Sequence, residues 1–300
     1  MQIASQATPT KTHRDLASRI LRMGKKAGES VLVGALPSPG EIAAIVNDFL
    51  SVILPGTRRT RLVDEFSHDD ACERLAEVLV DLETRLEAAL YLTAHRRCKN
   101  KAGDQCRRKA RAITARTMAA LPELRAILAQ DVQIAFEADP AATGADEVIA
   151  CYPGLYAIAI YRAAHRLLGE GGELLPRMMT EHAHARTGID IHPGATIGSP
   201  FFIDHGTGIV IGETTRIGNA VRIYQGVTLG ALSIKRKKAE SKEGGKPIVP
   251  QRHPTIEDDV VIYANATILG GDTVIGKGAM VGANAWITYS VPPGRRVGGG

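Results

Sequence analysis

The fold is decided by the stretch from residue 191 to residue 229, which reads IHPGATIGSPFFIDHGTGIVIGETTRIGNAVRIYQGVTL. An aliphatic residue returns at every sixth position, with small insertions, and the series resumes after a polar interruption. Its members are Ile191, Ile197, Ile203, Ile211, Ile217, Ile223, Leu229, Ile256, Ile262, Ile268, Ile275, Val281 and Ile287. A period of six fits neither an α-helix nor a simple alternating strand. It predicts a parallel β-helix built from hexapeptide repeats.

A small or β-branched residue follows most members of this series by four positions. These residues are Ala195, Thr207, Thr215, Val221, Val227, Val260, Ala266, Ala279 and Ala285. We expect the aliphatic series to form a central column, and the smaller residues to fill the interior beside each corner. A single coil cannot bury its inner face alone, so stability should come from the stacking of neighbouring coils.

Glycine divides the chain near residue 188, because 12 glycines lie in residues 1–188 and 19 lie in the shorter segment 189–300. Apolar spacing predicts helices over about 39–54, 69–97, 105–136, 155–168 and 173–186. We therefore predict an α+β protein with an all-α N-terminal domain over 1–188 and a β-helix domain over 189–300, which carries most of the candidate site residues considered below. Residues 1–37 are expected to be only partly ordered, and a loop is inserted at about 233–253.

Composition argues against several partners. A net charge of +5 is small for 300 residues, and the basic cluster at 96–111 lacks interleaved aromatics, so we favour a solvated helical corner over a nucleic-acid site. No apolar stretch approaches the ~20 residues that span a bilayer, and the N-terminus lacks a secretory core. The four cysteines form no CxxC pair, and Cys98 and Cys106 with His95 fit no familiar metal spacing. We expect a cytoplasmic protein with free thiols.

Function must be argued from departures from the repeat, because the β-helix itself is a scaffold. Four segments depart from it or lie outside it. They are Asp139-Pro140-Ala141, Asp190-Ile191-His192-Pro193, Asp204-His205-Gly206-Thr207-Gly208, and the inserted loop that ends in Gln251-Arg252-His253-Pro254.

His205 is the strongest candidate for a general base, because it lies where the repeat gains two residues. Asp190 and Asp204 are close enough in sequence to orient its imidazole, and such a histidine accepts a proton near neutral pH. The alternative is a metal site formed by His192, His205 and His253. His192 and His205 are 13 residues apart, whereas stacked positions need about 18, so only a site shared between subunits would gather them.

These segments together resemble the serine O-acetyltransferases. The resemblance is carried by Asp139-Pro140-Ala141, Gly188 to Pro193, Asp204 to Thr214, Gln225 to Gly230, and Arg252-His253-Pro254. It implies a left-handed β-helix and the transfer of acetyl from acetyl-CoA to the hydroxyl of L-serine, in the pathway to cysteine. The segment from Cys151 to His165 is similar to a subgroup with a long helical N-terminal extension.

The resemblance also implies a role for individual residues. His205 would take the proton of the serine hydroxyl and Asp190 would orient the imidazole. Asp139 and Asp204 match positions that hold the serine ammonium, Arg252 matches the position that pairs with its carboxylate, and His253 matches a second serine-site histidine. The positions that line the CoA arm are Gly230, Ala231, Ala264 and Ala283, and Ala231 stands where many relatives have glycine.

Partners follow from the same resemblance. We expect a homotrimer or a dimer of trimers, acetyl-CoA as co-substrate, no permanently bound cofactor, no metal, and L-cysteine as a feedback inhibitor. The family's C-terminal tail, which docks into O-acetylserine sulfhydrylase, has no counterpart up to Gly300, so we expect no capture of that enzyme. The alternatives are an acetyltransferase for another small hydroxyl or amine acceptor, and a non-catalytic scaffold for a partner enzyme.

Overall fold

The computed structural model describes residues 10–26, 36–54, 68–95, 103–232 and 250–298. Within these ranges, helices occupy the first part of the chain and short strands the second. The helices are α1 (Lys11–Lys26), α2 (Pro39–Ile53), α3 (His68–His95), α4 (Gly103–Ala119), α5 (Leu121–Ala138), α6 (Ala145–Cys151), α7 (Pro153–Gly169) and α8 (Leu175–Thr187).

The long helix predicted over 105–136 is wrong in one respect, because the chain forms two helices there. Helix α4 ends at Ala119 and α5 begins at Leu121, with Pro122 in its first turn. Proline has no N–H and its ring obstructs the carbonyl four residues earlier, so a continuous helix is interrupted at this point. Helix α6 was not predicted, because its 7 residues are too short to show a clear period.

The second part of the chain is a parallel β-helix with three faces. Sheet A contains β1 (Asp190–Ile191), β4 (Val210–Ile211), β7 (Thr228–Gly230), β10 (Thr267–Leu269) and β13 (Trp286–Ile287), in that order. Sheet B contains β2 (Thr196–Ile197), β5 (Arg216–Ile217), β8 (Thr255–Ile256) and β11 (Val274–Ile275). Sheet C contains β3 (Phe201–Ile203), β6 (Val221–Ile223), β9 (Val261–Ile262), β12 (Met280–Val281) and β14 (Arg296–Val297).

The six-residue series forms the central column, as the sequence predicts. In sheet A, Ile211 lies between Ile191 and Leu229, and Ile268 lies between Leu229 and Ile287. Every member of the series is buried, and none is more than 8% exposed. The predicted fold class is therefore confirmed.

Thr207 was wrongly assigned to the interior. It is exposed, whereas Ile209 is completely buried. The repeat between Ile203 and Ile211 has eight residues and not six. The interior residue therefore lies two positions before the next strand residue, Ile211, and not four positions after Ile203. Val227 holds the same place two residues before Leu229.

The helices pack directly onto the first coil. Arg162 on α7 forms a buried ion pair with Asp131 on α5, with Nε and Oδ2 2.6 Å apart, and its Nη2 donates to the carbonyl of Gly198 at 2.9 Å. Asp131 Oδ1 also accepts from the Phe201 N–H at 2.8 Å. The buried core runs from the helices into the β-helix without a break, so the division into two domains at residue 188 stays a prediction.

Several expectations concern the surface. The cluster at 96–102 and most of the inserted loop, residues 233–249, lie outside the described residues. On α4, the exposed Lys109 and Arg111 form ion pairs with Glu173 and Glu87, and the interpretation of the cluster as a solvated corner stays a prediction. No described helix is long and apolar enough to cross a membrane. No disulfide joins Cys72, Cys106 and Cys151.

Candidate active site

His205 lies in the turn from sheet C to sheet A that connects β3 to β4. We call this turn, residues 204–209, together with Asp139 and Tyr152, the base corner. The His205 side chain is 71% exposed, and its Nε2 lies 3.8 Å from Oδ1 of Asp204. Its backbone has a φ of 56°, in the left-handed region. An accessible imidazole beside a carboxylate is an arrangement that can accept a proton from a bound hydroxyl.

Asp139 reaches the same corner from the end of α5. Its Oδ1 accepts the N–H of Ala141 at 2.8 Å, and its Oδ2 accepts a short hydrogen bond from the hydroxyl of Tyr152. These donors, with a smaller contribution from His205, lower the pKa of the Asp139 carboxyl. The hydrogen bond to Asp139, together with burial, raises the pKa of Tyr152 to about 12. Asp139 is therefore an ionised carboxylate in the field of His205.

His253 lies at the other edge of sheet A, where the chain turns to sheet B. We call this cluster, His192, Glu213, Thr214, Arg252 and His253, the arginine corner. The N–H of Thr214 donates to Nδ1 of His253 at 3.1 Å, so the ring proton belongs on Nε2. Burial, with a contribution from Arg252, lowers the pKa of His253 to about 4. His253 is therefore neutral at physiological pH.

Glycine makes room for this histidine. A Cβ at Gly212 would lie 2.1 Å from Nε2 of His253. The neighbouring His192 is held in a similar way, because its Nδ1 accepts the N–H of Gly194 at 3.0 Å and burial lowers its pKa.

Arg252 is engaged within the chain. Its Nη2 forms a short ion pair with Glu213, and its N–H donates to Oγ1 of Thr214 at 3.0 Å. Arg252, which the sequence predicts to pair with a substrate carboxylate, therefore lies on a different corner from His205.

The backbone of Asp190, and not its side chain, is hydrogen-bonded to the base corner. Its N–H donates to the carbonyl of Ile209, in the base corner, at 2.9 Å. Its Oδ1 instead accepts from Nη1 of Arg177 at 3.2 Å. Among the described residues no hydrogen bond joins Asp190 to His205, so the predicted pair stays a prediction.

The three histidines of the metal alternative are divided between the corners, His205 on one and His192 and His253 on the other. Ligand atoms of Glu181, His184 and Asp190 do lie within 4.8 Å of one another. Arg177 forms ion pairs with both Glu181 and Asp190, so its guanidinium already balances the charge of these two carboxylates.

The positions predicted to line the CoA arm are also divided. Gly230 ends β7 and Ala231 directly follows it on the arginine-corner side, whereas Ala264 and Ala283 lie in successive turns on the base-corner side. The N–H of Asn284 donates to the carbonyl of Ala264 at 2.9 Å, which stacks these two turns. Ala283 is exposed and the other three are half-buried.

Two grooves elsewhere on the chain contain none of the predicted site residues. One, of about 540 Å³, runs along α5 beside Pro200 and Arg222. The other, of about 180 Å³, lies between α5 and α7. The predicted site residues lie at the base corner and the arginine corner, one at each edge of sheet A. We call these two groups half-sites.

Four polar residues at these half-sites were missed as functional candidates: Tyr152, Arg177, Glu213 and Thr214. Each contacts a predicted site residue that lies at least 13 positions away on a different element, so no local spacing signals it. Tyr152, Glu213 and Thr214 do lie inside segments that carry the family resemblance, which was the one available signal.

Comparison with known proteins gives a consistent result, although no family model matches the sequence. A plasmid-encoded serine acetyltransferase of Synechococcus elongatus is 55% identical over 175 residues, which are 58% of this chain and 53% of that protein. The serine acetyltransferase of Bacillus licheniformis is 48% identical over 166 residues, 55% of this chain and 70% of that protein. The match thus spans about half the length of the first relative.

Solved structures match a larger part of the chain. Serine acetyltransferase isoform 3 of Entamoeba histolytica, in complex with cysteine, is 33% identical with a TM-score of 0.66, covering 86% of this chain and 81% of that one. The serine acetyltransferase of Neisseria gonorrhoeae, in complex with serine, is 28% identical with a TM-score of 0.54, covering 86% and 94%.

A helical region followed by a hexapeptide β-helix, with an exposed histidine beside a carboxylate at a corner, places the chain in the hexapeptide-repeat class of proteins. Within that class, the chain belongs to the serine acetyltransferase family.

Proposed function

We propose that this protein transfers the acetyl group of acetyl-CoA to the hydroxyl of L-serine, giving O-acetylserine and CoA. His205 takes the hydroxyl proton as the serine oxygen bonds to the thioester carbon. When the tetrahedral intermediate collapses, the carbon–sulfur bond breaks and the thiolate recovers that proton from the imidazolium. In this proposal the Asp190 carboxylate leaves Arg177 and accepts a hydrogen bond from the His205 imidazole, which it thereby orients.

The observation that carries the proposal is the position of His205 at the base corner, with Nε2 3.8 Å from Oδ1 of Asp204 and the ring within electrostatic range of Asp139. Asp139 is far upstream in the sequence, yet His205 contributes to the lowered pKa of its carboxyl. Two carboxylates beside a base suit an acceptor that presents an ammonium next to a hydroxyl. Binding by a scaffold protein alone would need no base at this point.

A trimer would complete the site. The base and arginine corners flank sheet A, so three copies that turn this sheet towards a common axis bring one copy's base corner to the next copy's arginine corner. Val210 and Trp286 on the outer side of sheet A are 39% and 67% exposed in one chain, and this arrangement would cover them. Arg252 would then meet the serine carboxylate across the boundary, and CoA would lie along Gly230, Ala231, Ala264 and Ala283.

Acetylation of a different small alcohol or amine is the second candidate, because Arg252 is paired with Glu213 in the single chain. An acceptor without a carboxylate would not need Arg252. The test is thiol release from acetyl-CoA across serine, serinol and ethanolamine. We expect serine to be preferred and Arg252→Ala to remove that preference. Equal rates with serinol and serine would favour the second candidate.

Cysteine is proposed to compete with serine at the same site, because it carries the same ammonium and carboxylate. The relative from Entamoeba histolytica was solved in complex with cysteine. Initial rates with serine and cysteine varied at fixed acetyl-CoA test this. Inhibition that high serine fails to relieve would place cysteine elsewhere.

A further inference from the structure

Tyr152 occupies the junction of two helices. Its N–H donates to the carbonyl of Val148 in α6, and its carbonyl accepts the N–H of Tyr156 in α7, both at 3.2 Å. The proline that follows favours extended backbone, and Tyr152 has φ −79° and ψ 116°. Its backbone is therefore fixed from both sides, and the direction of its side chain follows from the packing of α6 and α7.

Helix α7 is itself pressed against the strand that leads into the base corner. A Cβ at Gly154 would lie 2.3 Å from the carbonyl oxygen of Ile203, so only glycine allows this approach. Ile203 directly precedes Asp204. The position of Tyr152 is thus tied to the backbone that carries Asp204 and His205.

The hydroxyl of Tyr152 fixes one oxygen of Asp139, and the N–H of Ala141 fixes the other. With both oxygens held, the carboxylate has one orientation and still keeps lone pairs for a further donor. Asp139, Glu147 and Asp204 all act electrostatically on the phenol. Asp139 in contact with this hydroxyl, and Glu147 and Asp204 within electrostatic range of it, suit a ligand with N–H donors and a positive charge.

We propose that Tyr152 is a positioning residue that orients Asp139 to bind the amino group of the acceptor beside His205. This inference rests on the proposed function, because it assigns a role in binding the serine ammonium. In this assignment Tyr152 acts on Asp139 and not on the reacting hydroxyl. Its loss should therefore weaken serine binding and leave the chemical step unchanged.

The first test is Tyr152→Phe, which removes one oxygen and keeps the ring. We expect the KM for serine to rise about five- to tenfold while kcat changes less than about twofold, with the KM for acetyl-CoA unchanged. Calorimetric titration with L-serine should show the same loss without turnover. Tyr156→Phe is the matched control, because it lies one turn later on α7 and its hydroxyl is 3.3 Å from Nε2 of His182.

A double-mutant cycle with Asp139→Asn shows whether Tyr152 acts through Asp139. We expect Tyr152→Phe to have no further effect on serine affinity in the Asp139→Asn background. An equal loss in both backgrounds, an unchanged KM, or the same loss in Tyr156→Phe would overturn the role of Tyr152 while the proposed function stands. A wild-type protein that releases no CoA with serine would overturn the proposed function itself, and this inference with it.

Discussion

The base corner and the arginine corner use the same kind of residue in opposite ways. The His205 side chain is exposed and lies beside the Asp204 carboxylate, whereas His253 is buried, with its Nδ1 held by Thr214. Burial and Arg252 lower the pKa of His253 to about 4. The exposed ring is available for proton transfer, and the buried ring offers a fixed neutral N–H. Environment, more than residue type, thus distinguishes the proposed base from the proposed binding group.

The largest expected effect is the loss of the base. His205→Ala should lower kcat by about 10²–10⁴, as when a general base is removed, without loss of folding, because the side chain is exposed. Asp190→Asn should cost less, since the imidazole remains. Steady-state rates with serine and circular dichroism measure both. Near-normal turnover in His205→Ala would exclude His205 as the base and break the comparison, whereas inactivation of the wild-type protein by a zinc chelator would favour the metal alternative.

The division of one site between two copies can be tested by mixing inactive variants. His205→Ala keeps the arginine corner, and Arg252→Ala keeps the base corner. After unfolding and refolding together in equal amounts, about a quarter of the sites in a random trimer would combine an intact corner from each variant. The activity of the refolded mixture should rise towards about a quarter of the wild-type value. Two variants mixed without refolding are the control, and no recovery after verified mixing would place both corners in one chain.

The attachment of the base corner to the helices can be loosened at Gly154. Alanine favours a helix over glycine by about 1 kcal/mol, but a Cβ here would meet the carbonyl oxygen of Ile203 at 2.3 Å. We expect Gly154→Ala to lower the free energy of unfolding by about 1–3 kcal/mol and to raise the KM for serine. Gly169→Ala, at the other end of α7, is the control, because its Cβ would meet nothing within 4 Å. Equal stability of the two variants in urea would contradict this packing.

The buried histidine should make stability depend on pH. Its pKa is about 4 in the folded protein and about 6.5 in the unfolded chain, so between these values the unfolded state binds more protons. Stability should therefore fall as pH drops from about 6.5 towards 4, by roughly 1–3 kcal/mol. The lowered pKa of His192 acts in the same direction.

His253→Gln should flatten this pH dependence, which urea unfolding at a series of pH values would measure. His13→Gln, an exposed histidine on α1, should leave the curve unchanged. If both variants follow the wild-type curve, His253 does not carry the effect, and the contrast between the two corners loses its electrostatic basis.

The sequence by itself determined the β-helix, the column of Ile191 to Ile287 and the identity of His205 as the candidate base. These features are periodic or interrupt a period, so they are visible within a few consecutive residues. It failed at Thr207, because the inserted pair moved the interior position to Ile209. It also failed between α4 and α5, where a single proline overrode the apolar spacing.

Only the tertiary structure decided which side chains meet. Tyr152 joins Asp139, Arg177 takes Asp190, Thr214 holds His253, and Gly154 touches Ile203. In every pair the partners lie on different elements, and the hydrogen bond or close contact depends on how those elements pack. Periodicity fixes which face of a coil a residue occupies. It carries no information about the helix or the neighbouring coil that packing brings against that face, and this is why the division into two half-sites was not predicted.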